Sequence, residues 1–373
     1  MRLSALPHTE LVAGSCGSFC SSPASAGQGL IPQIAPCIDD NDVVTKFVLP
    51  VSASGFSKPY SHVNGSTDLN TSFHSVVRAL VTTGHLPAFT KPFDDYRSAS
   101  IRMRVALGQA HLAVRNNRTR SQLVPSPEWA RLDPSEKAFA SFLLGSAMAK
   151  LVAAQMLRCP MLLHLSMYER AFDIDFGGAR RPDFIGQTLD GDWIVVEAKG
   201  RSRLTRSVLA DAKVQAMSIS KINGTAPISC VASGTRFNKN LVSVELLDPP
   251  ANPEGAIVDF PTEAFFRTYY EPIMELLDES ERTVSVSGQE VDVVRLPGLD
   301  LAVGLESRLA AQMRRQRPFV GFTMGDVLGR SDARIGPDQS PDTSWDSDQG
   351  EVGQDGVFVQ LGQSWSGSPS ERT

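Results

Sequence analysis

The chain is poor in cysteine, with five in 373 residues and none in a C-x-x-C pair. An odd, dispersed set (Cys16, Cys20, Cys37, Cys159, Cys230) excludes a disulfide-stapled fold and predicts mostly reduced thiols. Cys16, Cys20 and Cys37 have no nearby His to complete a zinc set, so that stretch reads as unstructured rather than metal-binding. No P-loop lysine motif and no G-x-S-x-G elbow occurs, which removes two common hydrolase signatures. No uninterrupted apolar run approaches the roughly 20 residues needed to span a bilayer, so neither a transmembrane helix nor a membrane partner is expected. The opening "MRLSALPHTELVAGSCGSFCSSPASA" has an early arginine and small residues. Pro7, His8 and Glu10 interrupt any apolar h-region, and "VAGSC" offers a lipoprotein-like cysteine without that region. The expected location is cytoplasmic.

A strong positive charge is also missing. The formal charge of −5 argues against a generally basic nucleic-acid coat. The average hides a division. Arg180 to Lys239 holds ten Lys/Arg against five Asp/Glu, whereas Ser331 to Thr373 holds eight acids against two arginines.

What is present, 42% hydrophobic and 21% charged residues, is ordinary globular composition, enough for one substantial domain with extensions. Residues 1–40, rich in Ser, Gly, Ala and Pro, read as disordered. Residues 41–129 read as an irregular or strand-containing N-terminal region with a helix over Ser98 to Val114. "LDPSEKAFASFLLGSAMAKLVAAQML" is the strongest helix. Asp133 is placed to cap it, Pro134 suits the first helical position, Glu136 completes a capping box, and Phe139, Phe142, Leu143 and Ala147 form the expected packing face.

"MLLHLSMYERAFDIDF" reads as a strand whose His164 belongs to the core. A hairpin, "FIGQTL" and "WIVVEA" about Asp190-Gly191-Asp192, follows. "SRLTRSVLADAKVQAMSISKI" reads as a helix stopping at Asn223-Gly224, with strands "ISCVASGTRF" and "LVSVELLD" after it. That order predicts an α/β (α+β) core over 130–248, a mixed sheet flanked by helices. A helical extension over 249–330 and a disordered acidic tail over 331–373 complete the expectation, with "GVFVQLGQSW" as a short docking segment.

The chemistry converges on "RRPDFIGQTLDGDWIVVEAKGRS". Residues two apart on a strand share a face, so Glu197 and Lys199 project together. A three-residue turn would pair Leu189 with Trp193 and set Asp183 opposite Lys199 on that face, while a two-residue turn would send Asp183 to the other face. Two converging carboxylates make a hard-oxygen site suited to Mg2+ or Mn2+. A metal there can lower the pKa of bound water and shield phosphodiester charge, while Lys199 orients or deprotonates the water or stabilises the phosphorane.

Pro182-Asp183, followed fourteen residues on by Glu197-Ala198-Lys199, resembles the PD-(D/E)XK signature of the restriction-endonuclease-like nuclease superfamily. The resemblance covers roughly 120 residues. It implies a mixed sheet between helices, metal ligation by Asp183 and Glu197, a catalytic role for Lys199, and Mg2+-dependent cleavage of DNA, with RNA admissible. It also implies a supporting glutamine on the next helix, for which Gln215 is the candidate beside the alternative of a core backbone cap. The glutamate that many members place on the first helix would be Glu136, against its capping-box reading, with Glu169 and Asp175 as weaker candidates. Arg201, Arg203, Arg206, Arg180, Arg181 and Lys213 are the expected phosphate contacts. A restriction, phage-defence or mobile-element setting, as a homodimer or in a larger defence complex, would suit such a chain. Two other readings remain: a catalytically weak nucleic-acid-binding or interaction module on the same fold, and a structural salt-bridge cluster in an unrelated α/β protein.

Overall fold

A computed structural model describes residues 46–83, 96–117, 120–165, 181–248, 255–277, 282–286, 288–315 and 350–365. In chain order the first elements are β1 (Lys46–Ser54), β2 (Gly65–Ser72), α1 (Phe73–Thr82), α2 (Tyr96–His111), β3 (Leu112–Asn116), β4 (Ser121–Pro125), α3 (Pro127–Arg131) and α4 (Pro134–Met156). The middle of the chain supplies β5 (Met161–His164), β6 (Phe184–Gln187), β7 (Trp193–Arg201), α5 (Arg206–Ala216), β8 (Ile219–Ile222), β9 (Ser229–Asn238) and β10 (Leu241–Leu247). Then come β11 (Ala256–Val258), α6 (Thr262–Leu277), β12 (Arg282–Val286), β13 (Gln289–Leu296), β14 (Leu301–Glu306), α7 (Ser307–Arg314), β15 (Glu351–Val352) and β16 (Val357–Leu361).

The fold is mixed α/β, as expected, and its centre is a nine-stranded sheet of order β3-β4-β1-β10-β9-β7-β6-β5 with β2 beside β1. Parallel pairs β7/β9 and β1/β10 sit among antiparallel ones. The sheet crosses the expected boundary near residue 130. β1, β2, β3 and β4 come from the region expected to be irregular or strand-containing, and the strand alternative holds because β1 alternates buried Phe47, Leu49, Val51 and Ala53 with more exposed residues and so offers the core one apolar face. The helix expected to reach Val114 ends at His111, since Leu112 to Val114 enter the ladder opposite Pro125 to Leu123.

Helix α4 starts as its sequence dictates. Asp133 accepts from the amides of Ser135 and Glu136, and the Glu136 side chain accepts from the Asp133 amide. Its packing face differs from expectation. Phe139 and Phe142 are 51% and 43% exposed, while Ala140, Ser141, Leu144, Gly145 and Met148 are buried. Close approach is the reason, because α4 lies directly on the backbone of β7. A Cβ on Gly200 would stand 1.7 Å from the Ser141 carbonyl oxygen, and one on Gly145 2.7 Å from Gly200 Cα. Only small residues fit that seam. By length and composition α4 is also the one described helix apolar enough to cross a membrane, with an 18-residue mean hydropathy of 1.4, against the expectation of none. Within the fold 67% of that window is buried, the behaviour of a core helix.

The helix after β7 is shorter than expected. It ends at Ala216, and Ile219 to Ile222 turn instead into β8, paired in parallel with β11. Its buried stripe is accordingly Leu209, Ala212 and Ala216, not one that continues through Ile219 and Ile222.

Beyond residue 249 the two expected helices form, but an antiparallel sheet, β12-β13-β14-β16-β15, joins them. "GVFVQLGQSW" is no free docking segment. Val357 to Leu361 pair with β14, and Val357, Phe358 and Val359 are buried. The acidic character of the tail concealed this strand. The two tail acids among the described residues are partnered: Glu351 accepts from Arg78 Nη2 at 2.7 Å and Ser72 Oγ at 2.8 Å, and Asp355 accepts from the Tyr269 hydroxyl at 2.6 Å. Tyr269 in turn takes a hydrogen bond from buried Lys150, whose burial lowers its pKa to about 7.

The α4–β7 seam yields a first prediction. Gly200→Ala should lower stability by about 1–3 kcal/mol, read as a drop in the urea midpoint, because the new methyl has only helix backbone to displace. Gly298→Ala, which meets nothing within 4 Å, serves as the control and should shift the midpoint little.

Candidate active site

β6 and β7 form the hairpin the sequence suggested, with Gly191 at φ +91° in the turn. Gln187 rather than Leu189 pairs with Trp193, so five residues connect the strands instead of three. Leu189 leaves the ladder because its amide donates to the Arg158 carbonyl at 2.9 Å. The slip is two residues, which preserves parity. Continuing the ladder past Phe184↔Val196 sets Asp183 opposite Glu197, not Lys199, and all three still share a face.

The two carboxylates close the end of the hairpin. Glu197 Oε2 accepts from the Asp183 amide at 2.9 Å, and Asp183 Oδ2 accepts from the Ala198 amide at 2.9 Å. Each thus caps the other strand's backbone where the ladder stops. Glu197 is 0% exposed, Asp183 half-buried. Lys199, whose side chain is 21% exposed, donates to Glu197 Oε1 and to Gln215 Oε1, the latter at 2.9 Å. Gln215 Nε2 reaches the Arg181 carbonyl at 3.3 Å. Gln215 thus bonds the lysine and a backbone carbonyl together, but that carbonyl belongs to exposed Arg181, so it is not the core backbone cap offered as the alternative.

Burial pushes both carboxyls up. Glu197 rises to about 7, through burial first and the Asp183 charge second, with Lys199 opposing. Asp183 is raised by burial against the Ala198 amide and Lys199. Two carboxyls around one ammonium leave the cluster short of positive charge. A divalent cation fits this donor set: the ligands are hard oxygens, their mutual repulsion would be relieved, and Mg2+ commonly takes one or two carboxylates with the remaining positions held by water or phosphate. Asp183 and Glu197 are the residues that would hold it.

Glu136 does not join them. Its carboxylate is engaged in the α4 capping box at the exposed start of the helix, so it is removed from the ligand set. Among the described residues no group of three or more His, Cys, Asp or Glu is arranged to hold a metal. Glu169, Asp175, Arg180, Cys16, Cys20 and Cys37 lie outside the described residues. Cys159 and Cys230 are buried free thiols. His164 is a core residue, edge-on to Phe184 at 4.9 Å, with its pKa lowered to about 4 mainly by burial.

Arg201, Arg203 and Arg206 are exposed around the end of β7 and the start of α5, and Arg181 is exposed beside Asp183. Lys213 is half-buried and its charge acts on Asp248, which sets it apart from that group. The reciprocal carboxylate caps escaped the sequence reading, because they depend on which residues face each other and no local motif encodes that.

The raised carboxyls make stability pH-dependent. Glu197 titrates near 4.5 when unfolded and near 7 when folded, so the native state binds the extra proton and loses stability as pH rises through that window. Glu197→Gln should flatten this fall. Urea midpoints of the two proteins between pH 4.5 and 8 should diverge in the variant's favour with rising pH, and a pH-independent difference would contradict the assignment.

Compared with protein-family models, curated proteins and solved structures, the chain matches none, so the chemistry of the site rests on its own geometry.

Proposed function

We propose that the chain is a metal-dependent phosphodiesterase of the PD-(D/E)XK type, an endonuclease acting on nucleic acid with DNA as the leading substrate. One observation carries the reading: Asp183, Glu197 and Lys199 converge at the end of one hairpin, with Gln215 holding the lysine from the following helix. The mixed sheet, with α4 on one face of β7 and α5 on the other, supports the restriction-endonuclease-like core.

The chemistry supplied by Mg2+ or Mn2+ at such a pair is activation of a water and shielding of phosphodiester charge. The chain's own groups do the rest. Asp183 and Glu197 would hold the cation, with strand amides already orienting both carboxylates. Lys199 orients the attacking water and offsets charge building on phosphorus, and Gln215 keeps its ammonium aimed. Arg201, Arg203, Arg206 and Arg181 supply exposed charge for the substrate backbone.

A second reading, a nucleic-acid-binding module with weak catalysis, is favoured by the absence of a third carboxylate from the described cluster. Incubating the full chain with supercoiled, linear and single-stranded DNA and with RNA, in Mg2+, Mn2+ or EDTA, separates the two. The nuclease reading expects cleavage that EDTA stops and that Asp183→Asn or Lys199→Ala lowers by about 100-fold or more. Binding without cleavage in either metal would favour the module. Cleavage that survives both substitutions would remove the site assignment.

A further inference from the structure

Arg236 on β9 was not among the expected contacts, yet it faces Arg201 directly across the parallel β7/β9 ladder. Partners in register point to the same side, so both guanidiniums leave the sheet on the face of Glu197 and Lys199. Both are exposed, and neither is ion-paired with an acid among the described residues. The one side-chain bond of Arg201 goes to its own neighbour, the Gly200 carbonyl, at 3.1 Å. Like charges set directly opposite cost stability, and an anion lying between them would remove that cost.

Arg236, the member of the pair farther from Lys199, borders a groove of about 610 Å³ together with Leu204, floored by Ser243, Ser52 and Ser66. The groove exists because α5 covers β7 and β9 but not the strands beyond. The row that starts at Lys199 continues through Gly234, Glu245 and Ser52 to Ser66 on successive strands. Leu204 and Leu209 lie over Gly234, within 2.9 Å of where a Cβ would stand. A chain leaving Lys199 is therefore diverted past the two arginines into the groove. Ser66 lies four strand spacings from Lys199, roughly 19 Å.

We propose that the Arg201–Arg236 pair and the serine-floored groove beside it form the track for the nucleic-acid backbone running out of the site, with Arg236 as a phosphate contact. This rests on the nucleic-acid reading above. Of the two acids in the groove, Asp68 is neutralised by Arg120 at 2.6 Å. Glu245 is in no ion pair among the described residues and opposes the ligand.

The test is fluorescence anisotropy of labelled single-stranded and duplex 20-mer DNA and single-stranded 20-mer RNA with the full chain in EDTA, across a salt series. Arg236→Ala should weaken binding about three- to tenfold and reduce the salt slope by about one. Ser52→Asp should weaken it as well, Glu245→Gln should tighten it, and Arg131→Ala on α3 should leave it unchanged. A wild-type chain that binds, alongside Arg236→Ala and Ser52→Asp variants that bind equally well, overturns the track while cleavage can still uphold the nuclease reading. A wild-type chain that binds none of the probes, in EDTA or with Ca2+ in its place, also overturns the track, while the cleavage assay alone decides the nuclease reading.

Discussion

The structure turns on the exchange of hydrogen bonds between Asp183 and Glu197. Each carboxylate takes the backbone amide that the other strand leaves open, so β6 and β7 can part after Phe184 and Val196 without stranding buried polar groups. The arrangement holds two acids in a largely dry place, where burial and mutual repulsion favour a proton or a cation. The same interaction that ends the hairpin thus creates an affinity for positive charge. Lys199 meets part of it, and Gln215 fixes the lysine from α5.

What surrounds the pair follows from residue size. Gly200 and Gly145 let α4 lie on the even-numbered side of β7, which leaves the odd-numbered side, with Glu197, Lys199 and Arg201, to α5 and solvent. Because α5 ends at Ala216 it covers only part of that face, and the strands beyond present serines and acids to water.

Much of this was legible in the sequence. Asp133 and Glu136 announced the start of α4, and the Asp-Gly-Asp turn announced the hairpin, because caps and turns are local chemistry. That Glu197 and Lys199 share a face was legible, but Asp183 joined them only under one of two turn lengths, and neither gave the observed register, since the amide of Leu189 is drawn away by Arg158, a residue of distant sequence. Phe139 and Phe142 misled for a related reason: hydrophobicity marks a residue as suited to a core, whereas here a glycine-lined seam selected small side chains. The second sheet was missed because β16 sits in an acidic, polar stretch whose average composition outweighed five apolar-rich residues.

That sheet has a consequence for how the chain assembles. Arg78 on α1 finds its counter-ion in Glu351, 273 residues later, and Tyr269 finds Asp355. During synthesis Arg78 lacks this counter-ion until 273 further residues have emerged. Closure of the core around α1 is therefore a late event, with β15 acting as the clasp for that helix.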